Sequence, residues 1–161
     1  MAQAIKNLLA GDIKVGEALP ALSVDVTPTT IVLGAMATRD WRPMHHDYDF
    51  AVNRNGTQNI FMNTPNQAAW FERYVTDWTG ATGRLGRMKF RMNSSVYPGD
   101  TMVFGATVEN VSTDDQGCSW VDLNVTLKVS DKTVTTCAIR VAVPADANDN
   151  PWTRKGDDWK P

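Results

Sequence analysis

Residues 22–27 (Leu-Ser-Val-Asp-Val-Thr) alternate apolar and polar side chains, the period of a half-buried strand. From Thr29 to Arg39 the period lengthens. Ile31, Val32, Ala35 and Met36 share one face at helical spacing. Residues 40–60 lose periodicity and contain Pro43 and Gly56, which predicts a loop. A second helix follows. Thr64 stands as its cap, Pro65 at the first helical position, and Gln67 completes a Thr-x-x-Gln capping box. Gly80 ends it. Trp70, Tyr74 and Trp78 lie four apart, with Phe71 and Val75 beside them. At about 100° per residue these five span an arc of about 140°, the pattern of a helix wrapped by something else.

Four strands come next. Met88, Phe90 and Met92 alternate with Arg87, Lys89 and Arg91. Tyr97-Pro98-Gly99-Asp100 is a turn, after which Met102, Phe104, Ala106 and Val108 face one way. Asp114–Gly117 and Ser130-Asp131-Lys132 turn again. They bracket the alternating Val121, Leu123, Val125, Leu127 and Val129, and Cys137, Ile139, Val141 and Val143 close the set. Each strand has one apolar face, so the sheet is antiparallel with one covered side. An antiparallel curled sheet wrapped round one long central helix is a single α+β hot-dog fold. Residues 1–13 read as a small amphipathic helical extension, 14–143 as the domain, and 144–161 as a polar tail. Trp152 and Trp159 in that tail are candidates to dock on the body or on a partner.

The 161 residues fit one domain, and 42% apolar with 21% charged residues excludes disorder for the bulk of the chain. Sixteen basic against eighteen acidic residues argue against nucleic acid as a partner. No apolar run approaches the roughly 18 residues of a membrane span, and the first ten residues are too polar for a signal peptide. Cys118 and Cys137 form no CxxC pair and, with two histidines, no zinc set at this spacing. They read as reduced strand residues of a cytoplasmic protein, with no metal. Six Trp suggest a bulky core or aromatic walls around an apolar ligand.

Both histidines fall in Ala37-Thr-Arg-Asp40-Trp-Arg-Pro43-Met-His45-His46-Asp47. On a continuous helix Asp40 and His45 would point about 140° apart. Pro43 forbids that helix, the chain must turn, and the two side chains can then meet. A carboxylate beside an imidazole can hold and deprotonate a water. The same residue types equally make a pair of loop histidines with a structural Asp salt bridge.

Asp40-x4-His45 followed by Asp47, with Lys14-Val-Gly-Glu-Ala-Leu-Pro20 upstream and Val96-Tyr-Pro-Gly-Asp100-Thr-Met downstream, resembles the MaoC-like, (R)-specific enoyl-CoA hydratase family over about residues 14–143. Ala37-Thr-Arg-Asp-Trp, Asn59-Ile-Phe-Met-Asn63 and Arg73-Tyr-Val-Thr-Asp-Trp-Thr-Gly80 are similar to one branch of it, the small subunits of actinobacterial steroid side-chain hydratases. The resemblance implies a hot-dog fold and a lyase in which Asp40 and His45 hold the water that adds to a trans-2-enoyl-CoA. The backbone amides of Asn63 and Thr64 would stabilise charge on the thioester oxygen. Coenzyme A would enter only as part of the substrate, with no cofactor. It also implies a catalytic small subunit paired with a larger MaoC-like, DUF35-containing subunit as an α2β2 heterotetramer, with a homodimer as the fallback.

Arg84, Arg87, Lys89 and Arg91 are expected either at the phosphates of coenzyme A or as a solvated strand face. His46 is expected on the pocket wall or in solvent. Two positions depart from the family: Arg42 stands where Asn is usual, with Asp47 as its expected partner, and Asn63 stands where Gly is usual. Two other readings compete. A hot-dog acyl-CoA thioesterase would carry a carboxylate on the central helix, but Glu72 lies about 120–130° from the centre of the apolar arc, near Trp78. A non-catalytic acyl-CoA-binding subunit would typically have lost the Asp or the His, and both are present here.

Overall fold

The computed structural model describes residues 8–161. Most of the helical extension expected at 1–13 lies outside the described residues; within them, Ala10–Asp12 form one 3-10 turn. Five strands build one sheet: β1 (Leu22–Asp25), β2 (Arg84–Met92), β3 (Thr101–Thr113), β4 (Ser119–Val129) and β5 (Lys132–Val143). Two helices, α1 (Pro28–Ala37) and α2 (Thr64–Thr79), lie between β1 and β2 in the chain. Strand order is β1-β3-β4-β5-β2, and every pairing is antiparallel. The connection from β1 to β2 therefore spans the full width of the sheet, and it carries both helices and the intervening loop across the inner face.

Burial of α2 drives that placement. Phe71 and Val75 are fully buried and Tyr74 nearly so. Phe71 meets Phe104 edge-on at 5.1 Å and stacks on Phe90 at 6.2 Å. Met102, Leu123, Val125, Leu127, Ile139 and Val141 complete the core from the inner face. Trp70 and Trp78 are only half-buried, so the wrapped side of the helix centres on Phe71 and Val75 rather than near Trp78. Glu72 points to solvent.

Local chemistry shifted several boundaries. The first strand stops at Asp25 because Thr27 caps α1. Its hydroxyl accepts from the Thr30 N–H while Thr30 reaches back to the Thr27 N–H, a reciprocal capping box with Pro28 in the first turn. The expected loop at 40–60 contains a 3-10 turn, Pro43–His45, and a π-helical turn, Phe50–Arg54. At α2 the capping box expected from Thr64 and Gln67 does not form. Asn63 is the cap, accepting from the Asn66 N–H. Asn caps as well as Asp or Ser. Thr64 instead donates to the Met92 sulfur, and Gln67 is buried and accepts from Thr135 at 2.6 Å. Gly80 ends the helix at φ 78°, a conformation favouring glycine.

The tail is docked on the outer face of the sheet. The rings of Trp159 and Trp120 lie 4.8 Å apart, and the Arg84 guanidinium sits 3.6 Å over Trp159. Arg84 also donates to the carbonyls of Pro151 and Arg154, and Arg154 to those of Gln116 and Gly117. A β-bulge at Gly86 lets Arg84 and Arg87 both face outward. Gly86 has a second role: a Cβ there would lie 2.6 Å from both Trp120 and Pro161. Cys118, Trp120 and Ala142 are consequently buried on the face that alternation alone assigns to solvent.

Candidate active site

The site forms where α1 ends and α2 begins. Thr38 closes α1, its hydroxyl donating to the Gly34 carbonyl at 2.7 Å. Arg39 then takes a left-handed conformation (φ 54°) that reverses the chain. The Asp40 N–H donates back to the Ala35 carbonyl at 2.9 Å, which seats the carboxylate beside the helix terminus. Pro43 opens the 3-10 turn that ends at His45. The turn carries the imidazole inward, where it is 2% exposed. Asp40 and His45, which a helix would hold apart, thus converge: His45 Nε2 lies 3.5 Å from Asp40 Oδ2.

The tautomer follows from the other ring nitrogen. His45 Nδ1 is 2.7 Å from the Phe61 carbonyl oxygen, which can only accept. Nδ1 therefore carries the hydrogen, and neutral His45 keeps its lone pair on Nε2. That Nε2 is buried without a hydrogen-bond partner among the described residues. The Phe61 ring, edge-on at 4.8 Å, walls the imidazole on one side.

Asp40 is held more tightly. Arg42 Nε donates to Oδ1 at 2.8 Å and Nη2 to Oδ2 at 2.6 Å, and the Arg42 N–H adds a long contact to Oδ1. Asn63 Nδ2 donates to Oδ2 at 3.0 Å. The Arg42 guanidinium holds the Asp40 carboxyl well below the usual carboxylate range. Asn63 and the nearby His45 act in the same direction, and partial burial opposes them. Asp47, the expected partner of Arg42, instead accepts from the Phe50 N–H at the π-helical turn. The guanidinium reaches Asp40 because the two residues sit two apart on a turned chain, where a bidentate fork fits a carboxylate.

Asn63 ties three pieces together. Its Oδ1 caps α2, while its Nδ2 donates both to the Thr38 hydroxyl at 2.8 Å and to Asp40. The two positions that depart from the family pattern, 42 and 63, therefore bind the same carboxylate. Sequence reasoning assigned Asn63 only its backbone amide. An Asn directly before Thr-Pro is a readable cap signal, but its bond to Asp40 depends on where α1 ends. The Phe61 carbonyl was illegible because any residue supplies one. Beside the site, Pro65 has no N–H and the Asn66 N–H is taken by Asn63. The amides of Asn63 and Thr64 are left at the positive end of α2 without intrahelical partners.

The basic candidates do not join this cluster within the chain. Arg84, expected at a phosphate or on a solvated strand face, is engaged by the tail. Arg87, Lys89 and Arg91 are exposed on the outer face, whereas Met88, Phe90 and Met92 of the same strand face α2. The sheet thus separates them from Asp40 and His45. His46 is exposed, with Nε2 3.3 Å from the Trp41 carbonyl oxygen.

Comparison with known proteins places this geometry in a family. The model for the MaoC like domain matches residues 13–133. The beta subunit of a 3-oxo-4,17-pregnadiene-20-carboxyl-CoA hydratase from Mycobacterium tuberculosis is 39% identical over 98 residues, which is 61% of this chain and 75% of that one. The crystal structure of the ChsH1-ChsH2 complex from the same organism superimposes with a TM-score of 0.73 at 31% identity, covering 81% of this chain and 98% of the other. The (R)-hydratase PhaJ1 from Pseudomonas aeruginosa matches with a TM-score of 0.72 at 16% identity, over 87% of this chain and 88% of that chain, a likeness of fold. A five-stranded antiparallel sheet wrapped on α2, an Asp–His pair at its N-terminus and a family match over most of its length show that the chain belongs to the MaoC-like family, with its hot-dog fold.

Proposed function

We propose that the chain is an enoyl-CoA hydratase, adding water across the 2,3 double bond of a trans-2-enoyl-CoA. One observation carries this reading: buried His45 Nε2, which bears the lone pair whenever the ring is neutral and has no hydrogen-bond partner among the described residues, lies 3.5 Å from the Asp40 carboxylate. Two acceptors so placed suit one water that donates a hydrogen to each. The water oxygen bonds to C3, and the electron pair of the double bond moves toward C2 and the thioester oxygen. The proton taken from the water by the pair is returned to C2. Charge developing on the thioester oxygen would be met by the amides of Asn63 and Thr64. Water is the only co-reactant this chemistry needs, so no cofactor enters.

The relatives support a substrate class. The curated relative is named for a steroid side-chain CoA thioester and as a beta subunit, and a structural relative is a two-protein complex. We read this chain as the catalytic small subunit of a heteromer acting on a steroidal enoyl-CoA, its partner a larger MaoC-like, DUF35-containing subunit in an α2β2 assembly. Two features support a partner. The nine-residue β2 is an edge strand, which proteins normally cover. Leu33, Met36 and Trp41 near the site are at least half exposed.

The test is hydration of crotonyl-CoA and a steroidal enoyl-CoA by the chain co-expressed with that larger subunit. Loss of enoyl absorbance is expected, with the steroid thioester preferred. Asp40→Asn and His45→Ala should each lower turnover about 10²–10⁴-fold with the fold intact. Release of free thiol would indicate a thioesterase instead. Equal handling of crotonyl-CoA would remove the steroid assignment and leave the hydratase.

A further inference from the structure

The hydrogen bonds to Asp40 raise a question for its own chemistry. A carboxylate offers about four acceptor positions, two on each oxygen. On Oδ1 they are met by Arg42 Nε and the Arg42 N–H; on Oδ2, by Arg42 Nη2 and Asn63 Nδ2. Oδ2 is the oxygen that faces His45 Nε2. A water bridging the pair must donate to Oδ2, and both of its acceptor positions are occupied. One of the two donors on Oδ2 has to leave, and they differ in freedom. Asn63 is 1% exposed and pinned as the cap of α2, and the Arg42 N–H belongs to the backbone and bonds the other oxygen. The Arg42 side chain is 61% exposed on a flexible stem, and an ion pair with one partner in solvent opens easily.

We propose that Arg42 is a displaceable latch on Asp40. It keeps the carboxylate ionised and fully hydrogen-bonded between turnovers, then yields its place on Oδ2 to the water that adds to the substrate. This rests on the hydratase reading above and makes Arg42 a positioning residue. The charged or titratable groups acting on Asp40 are Arg42 from its own loop and His45 from the 3-10 turn. α2 contributes the neutral Asn63, and the end of α1 the neutral Thr38, which reaches Asp40 only through Asn63. When Arg42 withdraws, Asn63 still donates to Oδ2, so the carboxylate stays aimed at His45. A cap at position 63 and a removable cation at position 42 divide the work of holding one group.

The latch differs in sign from a fixed structural contact, and chemical rescue reads that sign. The experiment uses the assembled enzyme at pH 8 with Arg42→Ala and Arg42→Lys, adding guanidinium chloride at tens of millimolar and tetramethylammonium chloride as the salt control. A latch predicts that Arg42→Ala exceeds the wild-type kcat, by up to about tenfold, with KM little changed, because the carboxylate oxygen no longer has to be vacated in each turnover. Added guanidinium then re-occupies Oδ2 and lowers the variant's rate, while the wild type and the salt control do not respond. Arg42→Lys, which keeps the charge but not the fork, should fall between the two. A tenfold or greater loss in Arg42→Ala that guanidinium restores would make Arg42 a permanent part of the site and overturn the latch. An unchanged rate indifferent to guanidinium would make it a surface ion pair and overturn it equally. A wild-type complex that hydrates neither thioester would instead sink the hydratase reading itself.

Discussion

Asn63 is the residue whose replacement tests most of this architecture at once. Asn63→Ala removes an N-cap, which costs about 0.5–2 kcal/mol, typically about 1. It also removes two buried donor bonds, one to the Thr38 hydroxyl and one to the Asp40 carboxylate. Net hydrogen bonds contribute about 1 kcal/mol each, somewhat more to a charged acceptor. Asp40 keeps Arg42 and Thr38 keeps its bond to Gly34, so neither is orphaned. The sum is about 2–4 kcal/mol, and for a chain of this size that lowers Tm by about 4–16 °C. Asn63→Asp separates the parts. It keeps the cap but sets a second carboxylate where a donor stood 3.0 Å from Asp40 Oδ2. Two carboxylates that close do not both ionise, so one has its folded-state pKa raised. The folded state then binds more protons than the unfolded chain above about pH 4, and stability falls as pH rises. Urea unfolding at pH 4.5, 6 and 8, followed by tryptophan fluorescence, should show an Asn63→Asp deficit that grows with pH and an Asn63→Ala deficit that is nearly flat. An Asn63→Ala loss below about 0.5 kcal/mol, or a pH-independent Asn63→Asp deficit, would refute the idea that one side chain ties α1, α2 and Asp40 together.

Asp40 itself links stability to acid. Its carboxyl, lowered chiefly by Arg42, titrates below its unfolded value of about 3.9, so its contribution is full above that value and is lost as pH falls. The stability gap between wild type and Asp40→Asn should shrink between pH 5 and 2.5; a gap that widens would contradict the assignment. Burial pushes the Cys137 thiol up to about 12 and raises Cys118 as well, so neither should react with iodoacetamide at pH 8 until urea is added. Stoichiometric native labelling would show the strands to be open. Gly86→Ala should loosen the tail by about 1–3 kcal/mol through its contacts with Trp120 and Pro161, with faster limited proteolysis after Val143. Wild-type resistance would mean the tail is not held there.

Periodicity alone was enough to write the inner face. Met102, Phe104, Val125, Leu127 and Ile139 alternate because a strand turns successive side chains to opposite sides, and all are buried as that rule requires. The helix that had to be wrapped was equally legible, since an apolar arc so broad has no stable place on a surface. The Asp–His pair was legible as a candidate because Pro43 breaks the helix that would have kept its members apart. What lay beyond the sequence was set by contacts between residues far apart in the chain. The buried outer cluster of Cys118, Trp120 and Ala142 exists because a polar tail folds back some 40 residues later, and alternation carries no information about such a cover. The contacts of Arg84 with that tail were illegible for the same reason. At the site, Arg42 chose Asp40 over Asp47, and Asn63 reached across from the start of α2 to the same carboxylate. Both outcomes depend on a left-handed residue at position 39 and on the packing of α1 against α2. Sequence determines which groups are available for hydrogen bonding; only the folded chain brings a guanidinium to 2.6 Å and a cap to 3.0 Å from the same carboxylate oxygen, where distance and the scarcity of acceptor positions decide the partners.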